Sequence, residues 1–146
     1  MYKFSQRSLD KLRRAHNELQ TIMISAIKDS PYDFGIICSY RSSIQQYELF
    51  KKGRDEQGNI IDKGKVVTYK DGYHKKSKHN VIPSPAVDIM CYDENGKATW
   101  EHKYYETVAE HIQEVADKLF EDDKVEKRLV WGGNWKNFTD LPHFQI

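Results

Sequence analysis

Cysteine is scarce in this sequence, and its two copies form no recognisable pattern. The chain of 146 residues carries Cys38 and Cys91, in the apolar strings GIICSY and DIMCYD. Because no CxxC pair is present, the sequence indicates neither a dithiol redox motif nor a zinc knuckle. Free cysteines usually lie inside folded proteins, so both are predicted to be buried thiols.

Long apolar runs are also absent. The N-terminal string MYKFSQRSLDKLRRAH has no apolar segment of the kind that forms the core of a signal peptide. No other stretch approaches the roughly 18 apolar residues that a membrane-spanning helix requires. The sequence therefore predicts synthesis in the cytoplasm without an export signal, and no stable association with a membrane.

An excess of charge of one sign is missing as well. The formal net charge is +1, which argues against nucleic acid as the main partner. The residues that are present suit a folded protein, with 38% hydrophobic and 31% charged. A chain of this length forms a single core, so residues 1–146 are predicted to make one domain.

The spacing of apolar residues predicts helices and strands in alternation. Residues 52–76 interrupt the pattern and are predicted to form a long exposed loop, with a candidate hairpin around residues 66–68. Helices beside a small, mainly antiparallel sheet give an α+β fold. The predicted helices cover 5–28, 44–51 (with Ser43 as N-cap) and 101–120, and the predicted strands cover 34–40, 86–92 and 143–146.

Two short strings carry residues that bind metals. SKHNVIPSPAVDIM places His79 and Asp88 around a proline-containing loop, and DLPHFQI places Asp140 three residues before His143. Two imidazoles, one carboxylate and a spare carboxylate are what a catalytic zinc site needs. The spacing leaves a second interpretation open, in which the histidines are a loop residue and a buried imidazole bonded to backbone.

Three blocks of this chain resemble one enzyme family. SYRS, SKHN..PSPAVDI and WGGNW....DLPHFQI occur in the order found in the zinc peptidases of the D-alanyl-D-alanine dipeptidase and carboxypeptidase family. The sequence is most similar to the phage branch of that family, the L-alanyl-D-glutamate endopeptidase endolysins. The resemblance extends from the first predicted helix to the last residue.

The resemblance implies a role for each matching residue. His79, Asp88 and His143 would bind one Zn²⁺ per chain at the sheet, Asp140 would be the catalytic base, and Arg41 would contact substrate and stabilise the oxyanion. There are two departures. Eight residues separate the first histidine from the aspartate where the family motif SxHxxGxAxD has six, and the base is aspartate rather than the glutamate of the dipeptidases.

Three more residues are candidates for contacts with substrate or with the metal ligands. Ser77 could hydrogen-bond a ligand, although a simple turn serine fits equally well. Trp131 and Trp135 could line a cleft and orient the C-terminal histidine, or they could be core aromatics. The lysine-rich tract between residues 63 and 78 is either a solvated loop or a surface that favours an anionic polymer.

The resulting hypothesis is a zinc-dependent endopeptidase that cleaves the L-alanyl-D-glutamate bond of peptidoglycan stem peptides. The protein would be a monomeric, single-domain phage endolysin without a wall-binding module. It would reach the cell wall in the periplasm after a holin-type partner has permeabilised the membrane. The alternatives are a D,D- or L,D-carboxypeptidase or dipeptidase, a non-catalytic metal-binding module and a nucleic-acid binder; the spare carboxylate of Asp140 argues against a non-catalytic site.

Overall fold

The computed structural model describes residues 1–146 and has the predicted α+β architecture. Four helices and five strands alternate irregularly along the chain, and short 3-10 turns lie at Lys63–Lys65, Lys78–Asn80 and Gly132–Asn134. The helices and strands are α1 (Gln6–Leu12), α2 (Asn17–Lys28), β1 (Phe34–Cys38), α3 (Ser43–Phe50), β2 (Ala86–Tyr92), β3 (Ala98–Thr99), α4 (His102–Glu121), β4 (Val130–Trp131) and β5 (His143–Gln145). No helix combines the length and the apolar character needed to cross a membrane.

The sheet is small and antiparallel, with the strand order β1-β2-β5-β4 and with β3 paired to the end of β2. Side chains alternate between the two faces of a strand. In β2 this alternation buries Val87, Ile89 and Cys91 completely and leaves Asp88 on the opposite face. The buried face carries the core, and the other face is free to form a site.

Helices α2 and α4 cover the buried face. Their apolar side chains recur at helical spacing and meet those of β1, β2 and β5 in one continuous cluster of 21 buried residues. Tyr105 on α4 is 1% exposed and donates its hydroxyl proton to the carbonyl of Thr99 (3.0 Å), which links the helix to β3. The helices thereby hold the central strand from behind.

The prediction of one helix over residues 5–28 was wrong, because the helix breaks after Leu12. Ala15 forms a parallel bridge to Ser84, in the loop that precedes β2. The Ser84 N–H donates to the carbonyl of Arg14 (2.8 Å), and the His16 N–H donates to the carbonyl of Ser84 (2.8 Å). These backbone groups serve a tertiary contact, so they are lost to the helix.

The loop between α3 and β2 also differs from the prediction. No strand forms at residues 66–68, and side chains hold the loop instead of a ladder. Gln46 is 1% exposed and donates to the hydroxyl of Thr68 (3.3 Å) and the carbonyl of Lys70 (3.0 Å). Helix α3 is capped by Ser42 rather than Ser43, with Gln45 completing a capping box.

Candidate metal centre and its clefts

Strand register brings two of the predicted ligands together. Asp88 on β2 lies directly opposite His143 on β5. Neighbouring strands are about 4.8 Å apart, so facing side chains in register reach a common point. Although 55 residues separate the two along the chain, the imidazole Nδ1 of His143 is 3.2 Å from the Asp88 carboxylate.

His79 reaches the same point from the 3-10 turn Lys78–Asn80. The Ser77 hydroxyl caps this turn by accepting the His79 N–H (3.2 Å), while the side chain of Asn80 accepts the Ser77 N–H (2.8 Å). Asn80 also donates to the carbonyl of Arg41 (2.8 Å), and the Arg41 N–H donates to the carbonyl of His79 (2.7 Å). The sequence interpretation omitted Asn80, whose signal was the capping box formed with Ser77.

The three groups form a triangle with nearly equal sides, in which each imidazole faces a different oxygen of the Asp88 carboxylate. His79 Nε2 is 3.2 Å from His143 Nδ1 and 3.3 Å from the Asp88 carboxylate, and His143 Nδ1 is 3.2 Å from the other carboxylate oxygen. Ligand atoms about 2.1 Å from a tetrahedral zinc lie about 3.4 Å from one another. The spacing of the donors therefore fits a zinc ion.

Hydrogen bonds on the outer side of each imidazole fix which nitrogen faces inward. His79 Nδ1 lies 2.7 Å from the carbonyl oxygen of Ser39, which can only accept, so Nδ1 carries a proton and Nε2 is the nitrogen that faces Asp88. His143 Nε2 lies 2.8 Å from Oε1 of Gln145, so Nδ1 of His143 is the nitrogen that faces inward. Metal-binding histidines have this arrangement, with the second nitrogen donating outward.

The inward nitrogens of His79 and His143 face the Asp88 carboxylate, so the space between the three groups favours a cation, either a proton or a metal ion. Burial opposes the charged form of His79, but its hydrogen bond to Asp88 prevails and raises the pKa of His79 to about 10. Burial also opposes the charged form of Asp88, yet hydrogen bonds from His143 and His79 hold the pKa of this carboxyl well below its usual range. Protons and metal ions compete for such a position.

Asp140 stands beside this triangle. Its carboxylate oxygen is 3.8 Å from His143 Nδ1, and its side chain is 32% exposed. Burial raises the pKa of the Asp140 carboxyl, and the charge of Asp88 raises it further. The backbone is held by a hydrogen bond from the Asp140 N–H to the carbonyl of Gly132 (3.0 Å). A carboxylate in this position is suited to exchange protons with a group near the centre.

Arg41 approaches from the opposite side. Its Nη2 is 3.6 Å from the Asp88 carboxylate, and its Nη1 donates to the side-chain oxygen of Gln46 (2.8 Å). The side chain is 18% exposed. The guanidinium is thus a fixed positive charge beside the three donors.

Cys38 corrects a prediction, because it is half-buried and belongs to the site. It lies opposite Asp88 in the β1–β2 register, and its Sγ is 3.4 Å from Arg41 Nη2 and 3.7 Å from His79 Nδ1. Cys91 is buried as predicted, and burial raises the pKa of its thiol to about 12. The signal for Cys38 was its position directly before the SYRS block.

The two candidate tryptophans occupy different environments. Trp135 lines the cleft, with its ring centroid 5.0 Å from that of His143. Trp131 packs against the core and donates its indole N–H to the carbonyl of Leu141 (2.8 Å), two residues before His143. Trp131 therefore supports the strand end, and Trp135 is available to a ligand.

Two clefts meet at the centre and share Arg41, Leu49 and Asp88. The helix-side cleft, about 880 Å³, runs between α1, the end of β1 and α3. The loop-side cleft, about 770 Å³, runs between residues 67–81 and the segment from Trp135 to Gln145. Asp88 thus lies where the two clefts meet, and His79, Asp140 and His143 line the loop-side cleft.

Comparison with known proteins identifies the family of this chain. The chain is 32% identical over 124 residues to the peptidoglycan L-alanyl-D-glutamate endopeptidase CwlK of Bacillus subtilis strain 168, a match that covers 84% of this chain but only 65%, just under two thirds, of that relative. The crystal structure of the Serratia marcescens L-Ala D-Glu endopeptidase ChiX matches with a TM-score of 0.71 and 25% identity, over 99% of this chain and 90% of that one. The model of the phage L-alanyl-D-glutamate peptidase family matches residues 1–144, and the chain therefore belongs to that family.

Proposed function

We propose that this protein is a zinc-dependent peptidoglycan endopeptidase that cleaves the bond between L-alanine and D-glutamate in stem peptides. The names of both relatives support the bond. The observation that carries the proposal is the triangle of inward-facing donors, 3.2 to 3.3 Å apart, with Asp140 beside it. His79, Asp88 and His143 would hold the ion.

When bound, zinc would supply Lewis-acid polarisation of a carbonyl and would make water a stronger acid. The rest of the chemistry belongs to side chains of this chain. In the proposed reaction, Asp140 accepts a proton from the attacking water and delivers it to the nitrogen of the leaving D-glutamate. Burial and the charge of Asp88 raise the pKa of Asp140, which favours uptake of that proton.

Arg41 would stabilise the negative charge that develops on the carbonyl oxygen. It is held by Gln46 and by Asp88, so its position costs little to maintain when charge appears during the reaction. Arginine suits this role because its guanidinium stays charged and can donate two parallel hydrogen bonds.

The shape of the groove favours an endopeptidase over a carboxypeptidase or dipeptidase of the same chemistry. An enzyme that removes terminal residues must end its cleft near the catalytic centre. Here the helix-side and loop-side clefts continue on both sides of Asp88. A peptide can therefore extend beyond the scissile bond in either direction.

The biological setting is part of the same proposal. Membership of a phage peptidase family supports a role in host lysis, with the cell wall as the target. Action in the periplasm would then depend on a holin-type partner, and one domain acting as a monomer would suffice for cleavage.

The test uses peptidoglycan and measures new amino termini together with zinc content. Wild type is compared with Asp140→Asn, which keeps the shape of the side chain but cannot accept a proton. We expect wild type to carry about one zinc per chain and to free the amino group of D-glutamate. Asp140→Asn should keep its zinc and lose at least about a hundredfold in rate, the usual contribution of general acid–base catalysis.

Asp117→Asn is the matched control, because Asp117 lies on the exposed face of α4 and only accepts a hydrogen bond from Gln113. It should behave as wild type. An Asp140→Asn protein with full activity would remove the proposed base. A wild type that binds zinc but releases no amino groups from peptidoglycan would contradict the proposed substrate.

A further inference from the structure

The helix-side cleft has a basic wall that the proposed chemistry does not use. Arg7 and Lys11 on α1 and Arg14 in the following turn all line this cleft. The spacing of four residues places Arg7 and Lys11 on one face of α1, and Arg14 extends the same wall beyond the end of the helix. None of these side chains forms a salt bridge, so the fold does not depend on their charge.

The acidic residues of the same cleft are already engaged elsewhere. Asp10 pairs with Arg13 (3.4 Å) and accepts a hydrogen bond from Gln6 (2.8 Å). Glu48 pairs with Lys51 (2.9 Å). The wall formed by α1 therefore presents positive charge without an internal partner, along a path that leads to Asp88.

We propose that this basic wall, formed by Arg7, Lys11 and Arg14, binds the free carboxylate on the D-glutamate side of the substrate. The inference rests on the proposed function and gives the substrate a direction in the groove. D-Glutamate has two carboxyl groups; one continues the peptide chain, so the other is free. Alanine on the other side of the scissile bond has no charge, and only the glutamate side can match a cationic wall.

The loop-side cleft has a different character and would take the alanyl side. Tyr69 and Phe138 meet edge to face, with ring centroids 5.7 Å apart, and remain 47% and 41% exposed beside Trp135. Exposed aromatic faces favour uncharged groups. Three lysines also line this cleft, and a reversed substrate would use them instead; they are Lys70, Lys76 and Lys78.

The experiment compares two peptides that differ in one group. The first contains L-alanyl-D-glutamate, and in the second a carboxamide replaces the free carboxylate. The helix-side variant is Arg7→Gln with Lys11→Gln and Arg14→Gln, and the loop-side variant replaces the three lysines of that cleft with glutamine. Lys118→Gln is the control, because Lys118 is an exposed basic residue on α4 that lines neither cleft and forms no salt bridge.

Wild type should prefer the carboxylate peptide. The helix-side variant should lose this preference through a rise in KM of about tenfold for the carboxylate peptide alone, with kcat retained, since each exposed ion pair contributes about a twofold to fivefold effect. The loop-side variant and Lys118→Gln should keep the preference. If the triple variant folds poorly, the single variants Arg7→Gln and Arg14→Gln replace it. Each should lose part of the preference for the carboxylate peptide.

Binding of a product peptide that begins with D-glutamate, measured by calorimetry, separates this inference from the proposed function. If wild type cuts neither peptide, the proposed function fails, while the calorimetric comparison still decides the inference. Weaker product binding in the helix-side variant supports the basic wall. The assigned direction is overturned if wild type and the helix-side variant bind the product equally well, or if only the loop-side variant binds it more weakly.

Discussion

At the scale of single residues, the centre depends on which nitrogen each imidazole turns inward. For His79, a hydrogen bond to the backbone carbonyl of Ser39 fixes the orientation of the ring. Because the acceptor is a backbone group, no side-chain substitution at Ser39 removes it. For His143 the task falls to the side chain of Gln145, two residues further along the same strand. The centre is therefore more vulnerable to mutation on the His143 side.

Gln145→Ala is expected to weaken zinc binding by about 10- to 100-fold, the usual effect of removing a hydrogen-bond partner of a metal ligand. Without the amide oxygen, the His143 ring can rotate and can take either tautomer. The measurement is competition for zinc against a chromophoric chelator, with circular dichroism to confirm the fold.

Gln113→Ala is the control, because Gln113 bonds only to Asp117 on the outer face of α4. Its zinc affinity should equal that of wild type. Unchanged affinity in Gln145→Ala would show that packing against Trp135 alone orients His143.

The clustering of the candidate site residues could be predicted from the sequence, because they lie in short motif blocks. His79, Asp88, His143, Asp140 and Arg41 are brought together as expected. Their supporting contacts could not be predicted. Cys38, Asn80 and Gln145 act through cross-strand register and turn capping, which depend on tertiary structure rather than on a motif.

At the scale of elements, the connection between β4 and β5 is the tightest part of the site. Gly132 opens a 3-10 turn, and a Cβ at this position would overlap the carbonyl oxygen of Asp140 and approach the Cβ of Asp140 and of His143, each at 3.1 Å. The absence of a side chain lets the turn carry Asp140 close to the ligands.

Gly132→Ala is expected to lower the free energy of unfolding by about 1–3 kcal/mol, the usual cost of inserting a methyl group into a packed region. Relief of the overlap should also displace Asp140, so activity should fall more than stability explains. Chemical denaturation and peptidase assays on the same protein give the two quantities.

Gly64→Ala provides the comparison for that variant. A Cβ at Gly64 would meet only the Asp62 carboxylate, at an ordinary 3.5 Å, so stability and activity should hold. Should Gly132→Ala be as stable and as active as wild type, the turn would have to be able to shift without moving the catalytic groups.

Strand patterns proved reliable at this scale, whereas helix continuity did not. The prediction of a strand over 86–92 is confirmed residue for residue by β2, because its alternation reflects burial on one face. The helix predicted over residues 5–28 breaks because Ser84 takes backbone hydrogen bonds from the α1–α2 junction. Apolar spacing is the same on both sides of such a break, so the sequence pattern cannot reveal it.

At the scale of the whole molecule, metal binding and folding are expected to be coupled. The donors come from a turn and two strands that are far apart in the chain, so the unfolded chain does not offer the triangle. A ligand that binds only the folded state adds about 2.7 kcal/mol of stability at a concentration 100 times its dissociation constant. For a chain of this size, that corresponds to a rise in Tm of about 8 °C.

Thermal unfolding of chelator-treated protein with and without added zinc measures this coupling. Asp88→Ala, which lacks one donor, should show little or no shift with zinc. An equal shift in wild type and in Asp88→Ala would mean that zinc stabilises the protein at some other position.

The open groove has a consequence for how a polymer would be attacked. Because the helix-side and loop-side clefts continue past the centre in both directions, a chain can settle into the groove from the side and does not have to be threaded in by its end. Cleavage would then not require free peptide ends. A cross-linked network without free ends would be cleaved as readily as soluble fragments. Damage to such a network would begin anywhere on its surface.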